Sequence, residues 1–446
     1  MSKHAYEKKS VYETEYTIAS GDKFAEKYLH FLKNGTTERR CVDYLTNRAQ
    51  ENGFTLFEKG KEYKAGDRVY FNNRGKAAAF VIYGKQPVEE GVHIAAAHID
   101  SPRLDLKPNP IAEQEGLVLL RTHYYGGIKK YQWTALPLSL EGVIIKKDGS
   151  AVDVHDDDLT FCITDLLPHL ASAQYEKTLG KAIEGEDLRV LAGSIPDLNE
   201  KNDKVKSAIL DLIYEKYGIE EVDLQCAELT LVPKLEPAEI GFDKSMIGAY
   251  GHDDRVCAFT AFEGLMDIEI PDKTAIVFLA DKEEIGSEGV TGMQGRFFER
   301  MLSLLSCGGD ILEICANSKC LSADVNAALD PIYPSVTEKQ NACLLGHGPC
   351  ITKYTGARGK SSTSDASAEV MRFFANIMQR DNVLYQTGEL GAVDAGGGGT
   401  VAMYMANRDI DTVDIGVGLL SMHAPFEIAS KADIYETYRA MRAFLK

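Results

Sequence analysis

The sequence predicts an α/β protein with a mostly parallel sheet, interrupted by an inserted β-rich domain. Three observations lead there. Apolar strand-like runs alternate with helical periods before residue 105, and the same alternation returns after residue 236. Between them the texture changes to hairpin-like runs, closed by "VPKLEPAEIGFDKS" with two prolines and a glycine turn. The expected organisation is therefore residues 1–105 and 236–446 as two parts of one α/β domain, with 106–235 as the β-rich insertion.

Taken in order, residues 20–33 place Phe24, Tyr28, Phe31 and Leu32 on one side of a helix that stops at Asn34-Gly35. "TERRCVDYLTNRAQENG" reads as a second helix. "RVYFNN", "AAAFVIYG" and "VHIAAAHID" follow as strands, the last apolar enough to be covered on both faces. In the insertion, "GLVLLRTHYYGG", "LPLSLEGVIIKKDGS" and "LTFCITDLLPHL" read as hairpin strands, and "KVKSAILDLIYEKYG" as a helix. After 240 come a helix at "VCAFTAFEGLMDI", a buried strand at "TAIVFLA", a helix at "GRFFERMLSLLS" and a strand edge at "CLSADVNAAL". The chain closes with a helix at "ASAEVMRFFANIMQR", a strand at "TVDIGVGLLS" and a last helix at "KADIYETYRAMRAFL".

Composition narrows the function classes. Across 446 residues, 49 Lys and Arg against 67 Asp and Glu leave a formal charge of −18, which repels nucleic acid and anionic membrane surfaces. No window approaches 18 uninterrupted apolar residues, and the opening "MSKHAYEKKSVYETEY" has no apolar stretch like a secretory signal, so a cytoplasmic location is expected. Nine cysteines without a CxxC pair fit small buried hydrophobes better than a disulfide framework. "CANSKC" is the one close pair.

In an open α/β sheet, ligands bind beyond the carboxyl ends of the strands. That rule selects His98 and Asp100 in "AAAHID", Glu283 and Glu284 in "ADKEE", Asp324 in "LSADVN" and His423 in "LLSMHAPFE"; Asp253 and Asp254 in "GHDDR" directly precede a helix. Singly, each has a plainer reading as a core histidine, a solvated turn or a helix N-cap. Together they form one chemical set. Two divalent metals need imidazole and carboxylate donors, at least one of them bridging. Asp100 lies two residues beyond His98, on the same side of an extended strand, and so suits the carboxylate that orients a ligating histidine. Of two adjacent glutamates, one can hold metal while the other serves as general base. The glycines of "AGGGGT" at 395–400 lack the Lys-Ser/Thr of a phosphate loop and fit a close backbone approach.

Six ordered motifs, "AHIDSPRLDLKPNP", "GHDDRVCAF", "DKEEIGSEG", "SADVNAALDP", "VDAGGGGT" and "MHAPFEIASKADI", resemble the M18 family of aminopeptidases, its bacterial branch in particular, over essentially the whole chain. The resemblance implies a catalytic domain of the co-catalytic metallopeptidase type. It also implies two divalent ions per subunit, zinc first with cobalt or manganese also suited, and removal of N-terminal residues from peptides. It assigns His98 and Asp324 to one metal, Glu284 and His423 to the other, Asp253 to the bridge, Glu283 to the general base and Asp100 to the orientation of His98. Lys353 in "GPCITKYTG" and His169 in "PHLASAQYEK" correspond to substrate-pocket positions. Eukaryotic members carry a further histidine shortly after the latter segment; Ala173 and Gln174 stand there here, which leaves the preferred N-terminal residue open. The same resemblance gives the insertion a dimerisation role and implies dimers that associate into a dodecamer. The competing readings are a small-molecule deacylase on the same scaffold and a non-catalytic scaffold.

Overall fold

Short, small side chains in "AAAFVI", "HIAAAH" and "AIVFLA" build the middle of a nine-stranded sheet, since alanines let covering helices approach closely on both faces. The computed structural model describes residues 4, 5 and 7–446; three of the opening residues and Tyr6 lie outside that range. Its contacts divide the chain into two units: Met1–Ser101 with Pro237–Met422 and Glu427–Lys446, and Pro102–Glu236 with His423–Phe426.

In the larger unit, Ala275–Ala280, His93–His98, Lys319–Ala323 and Asp411–Gly416 lie side by side and parallel. Flanking strands are not all parallel: Ala77–Ile82 runs antiparallel to Ala275–Ala280 and to Arg68–Asn73, and Cys350–Thr352 antiparallel to Asp411–Gly416. The parallel character is thus concentrated at the centre, where both faces are covered. Alternate strand residues feed two cores. Phe80, Ala95, Ala97, Val277 and Leu279 pack with the helices Ile18–Asn34, His252–Met266 and Lys431–Leu445. Val81, Ile94, Ala96, Ile276 and Phe278 pack with Phe297–Leu305. Phe80, Phe259 and Phe262 are fully buried, and truncating any one to alanine costs about 3–5 kcal/mol. A further five-stranded sheet includes Met246–Ala249 beside Glu427–Ser430.

The smaller unit holds a six-stranded antiparallel sheet and the helix Lys204–Tyr217. Its longest strand, Arg103–Gln114, has no counterpart in the sequence reading because Pro108 and Pro110 argue against a strand. The chain solves this with an irregular register between Leu106 and Ile111 that takes both prolines out of the ladder. "LTFCITDLLPHL" forms only isolated bridges at Phe161 and Cys162 instead of the expected strand. Trp133, the single tryptophan, is completely buried, while Tyr124 and Tyr131 remain exposed.

Candidate metal centre

Strand register decides which side chains meet. Ala280 pairs with His98 on one side and Ser322 with Ala96 on the other, so Asp324, two residues past Ser322, ends level with His98, and the turn after Ala280 runs beside residues 99–101. Asp324 is reached only because the next strand approaches through Gly416, where a Cβ would lie 1.7 Å from the Asp324 carbonyl oxygen.

His98 is 1% exposed and Asp100 fully buried. The imidazole Nδ1 lies 3.3 Å from Asp100 Oδ1 and 3.1 Å from the Asp100 carbonyl oxygen, and Nε2 lies 3.2 Å from Asp253 Oδ1 and 3.9 Å from both Asp324 Oδ1 and Glu283 Oε2. Nδ1 therefore faces its orienting carboxylate and Nε2 faces the other acids. Asp100 does a second thing that spacing does not reveal. Its two carboxylate oxygens accept the backbone N–H groups of Glu283 and Glu284, at 3.1 and 3.2 Å. The short turn Glu283–Ile285, bounded by left-handed Lys282 and Gly286, is thereby tied to the end of the histidine strand.

Asp253 and Asp254 open the helix His252–Met266 with non-helical backbone angles, and the peptide between them is cis. Ligand atoms of His98, Asp253 and Asp324 lie within 4.8 Å of one another, and an Asp253 oxygen lies equally close to one of Glu284. Asp253 is common to both groupings, whereas Asp254 turns its Oδ2 to the backbone N–H of His98 at 3.3 Å. Asp253 also has its backbone held: its N–H donates to Glu427 Oε2 at 3.1 Å, and its carbonyl accepts from the Ser101 hydroxyl at 2.7 Å. Neither Glu427 nor Ser101 stood out in the sequence, because a backbone contact leaves no signature of residue type or spacing. His252 is a core histidine. Its Nδ1 meets the Tyr28 hydroxyl at 2.8 Å and Nε2 the Ile247 carbonyl at 3.1 Å, and burial pushes its pKa down to about 4.

The electrostatics fit a cation. Burial pushes the Asp324 carboxyl well above its usual range, and the neighbouring Asp254, Glu283 and Asp253 raise it further against the opposing pull of His98. Burial alone would depress His98; hydrogen bonds to Asp100 and Asp253 and the charge of Glu283 override it and hold the imidazolium well above its ordinary value. Carboxylates crowded around one imidazole repel one another until a multivalent cation neutralises them. The hard oxygen and imidazole donors are those that suit zinc, cobalt or manganese.

His423 belongs to the four-residue stretch that groups with the smaller unit, where its Nδ1 lies 2.8 Å from the Gly127 carbonyl oxygen. Lys353 donates to Asp365 at 2.8 Å, and His169 is exposed in the turn Pro168–Leu170 of the smaller unit. Cys315 and Cys320 are buried free thiols. Among the described residues no helix is long and apolar enough to cross a membrane.

Residues 31–445 match the family described as aminopeptidase I zinc metalloprotease, M18. A probable M18 family aminopeptidase 1 of Clostridium acetobutylicum is 48% identical over 458 residues, covering 99% of this chain and 98% of its own length. A crystal structure of an M18 family aminopeptidase from Thermotoga maritima superposes with a TM-score of 0.96 at 41% identity, covering 99% of this chain and 100% of that one. Aminopeptidase I from Clostridium acetobutylicum gives a TM-score of 0.93 at 43% identity, with the same coverage.

Proposed function

This chain belongs to the aminopeptidase I family of zinc metalloproteases, M18, and is a metalloaminopeptidase; on that premise we propose that it releases N-terminal residues from peptides at a dinuclear metal centre with Glu283 as general base. The observation that carries the proposal is the convergence of His98, Asp253, Asp324 and Glu284 at the carboxyl ends of parallel strands. His98 and Asp324 would hold one ion, Glu284 and His423 the other, with Asp253 shared between the two. When bound, such a pair polarises the scissile carbonyl and acidifies the attacking water.

The protein groups do the rest. Asp100 keeps His98 in the tautomer that presents Nε2 to the centre. Glu283, whose side chain keeps 17% exposure and whose Oε2 lies 3.9 Å from His98 Nε2, takes a proton from the water and passes it to the leaving amine. The substrate's free α-amino group is taken at the same centre, which confines cleavage to the first peptide bond. Lys353 and His169 contact the substrate side chain. Exposed Leu166, Leu167, Leu170 and Tyr175, between 51% and 71% accessible within ten residues, support association of copies through the smaller unit into dimers and on to a dodecamer. The compartment is cytoplasmic.

Dipeptide amides with a free amino group and their N-acetyl counterparts test the reaction class. Release from the free-amine series alone, lost on chelation and restored by zinc, is expected. Cleavage restricted to the acetylated series would identify a deacylase instead, and turnover of neither series under zinc, cobalt or manganese would leave a scaffold.

A further inference from the structure

A bridging carboxylate must be aimed at two positions at once, so its backbone matters as much as its oxygens. Asp253 sits where the helix has not yet begun to bond to itself. It lies two residues after Gly251, left-handed at φ 75°, and its own φ and ψ of −79° and 108° are extended. An N–H in a first helical turn has no partner inside the helix.

Glu427 supplies that partner, and Ser101 grips the carbonyl of the same residue. Both are 1% exposed. Glu427 opens the strand Glu427–Ser430 opposite Ala249, so the chain that delivers Asp253 leaves the sheet right beside it.

We infer that Ser101 and Glu427 are positioning residues that fix the Asp253 carboxylate by clamping its peptide from both ends. The inference rests on the dinuclear reading above. It gives two motifs a double use: "HIDS" carries His98 and, three residues on, one jaw of the clamp, while "HAPFE" carries His423 and, four residues on, the other.

Calorimetric titration of metal-free protein with zinc tests this on the parent, Ser101→Ala, Glu427→Ala and Glu427→Gln, with thermal unfolding of each metal-free form in parallel. The clamp predicts a loss of roughly tenfold or more in zinc affinity at one or both positions in the two alanine variants, the size expected of outer-sphere partners. Glu427→Gln keeps an acceptor oxygen and should stay close to the parent. Ser101→Ala deletes one hydroxyl and keeps the test alive if Glu427→Ala does not fold. A parent that binds no zinc defeats the dinuclear reading itself. A parent that binds two ions, with alanine variants that bind them as tightly or lose only metal-free stability, overturns the clamp alone. Equal loss in Glu427→Gln and Glu427→Ala also overturns it, because the hydrogen bond would then not be the cause.

Discussion

Replacing Asp100 by asparagine separates two jobs that one carboxylate performs. The side chain is fully buried, faces His98 Nδ1 at 3.3 Å and accepts the N–H groups of Glu283 and Glu284 at 3.1 and 3.2 Å. Asparagine keeps the shape and one acceptor oxygen but turns an NH2 toward one of those three donors and removes the charge from the others. A hydrogen bond to a charged group contributes about 1.5–3 kcal/mol, and about 1.4 kcal/mol corresponds to a factor of ten, so kcat/KM should fall by roughly ten- to a hundredfold. The assay follows kcat across a zinc titration. If Asp100 served His98 alone, excess zinc would restore full turnover. Because it also ties down the turn bearing Glu283, kcat should stay depressed at saturating zinc. Turnover and zinc affinity within twofold of the parent would refute both jobs, and complete rescue by zinc would refute the second.

His98→Ala should empty or weaken one metal position, so metal analysis should read about one tightly held ion per chain in place of two; an unchanged stoichiometry would remove His98 from the centre. Asp433, fully buried at the start of the last helix, accepts N–H bonds from Gly346 and Gly348, each at 2.7 Å, yet burial lifts its pKa from 3.8 to about 7. A folded-state value above the unfolded one stabilises the protein below about pH 4, and that contribution disappears as pH rises through 7; the displacement is worth on the order of 4 kcal/mol. Denaturant unfolding should therefore show the parent losing stability relative to Asp433→Asn, whose amide does not ionise, as pH rises from 4 to 7, and a pH-independent difference would contradict the assignment. Light scattering of the pure protein should report a particle far above its 49.1 kDa chain mass, whereas a stable, fully active monomer would exclude the assembly.

The chemistry was legible where residue type alone carries it. A histidine and an aspartate at the end of a both-faces-apolar strand, paired glutamates after another and an aspartate after a third can be read without coordinates, because parallel strands deliver their carboxyl ends to one edge. Positions read by backbone contact were silent: nothing in "HAPFE" distinguishes a glutamate that clamps Asp253 from a solvated one, and nothing in "HIDS" marks Ser101. Arg103–Gln114 escaped because its prolines oppose a strand locally and only the irregular register tolerates them. The antiparallel flanks of the large sheet escaped for a related reason, as pairing direction is set by tertiary neighbours that a single strand's pattern does not encode.

The most direct test of a dinuclear centre with Glu283 as its base is Glu283→Gln, with metal content and turnover of a free-amine peptide measured on the same sample. Glutamine is nearly isosteric and cannot take a proton. The variant should retain two ions per chain and lose a factor on the order of a thousand or more in kcat. Near-parental turnover with both ions in place would contradict the assignment of the proton transfer to Glu283, and fewer than two ions in the parent itself would contradict the centre.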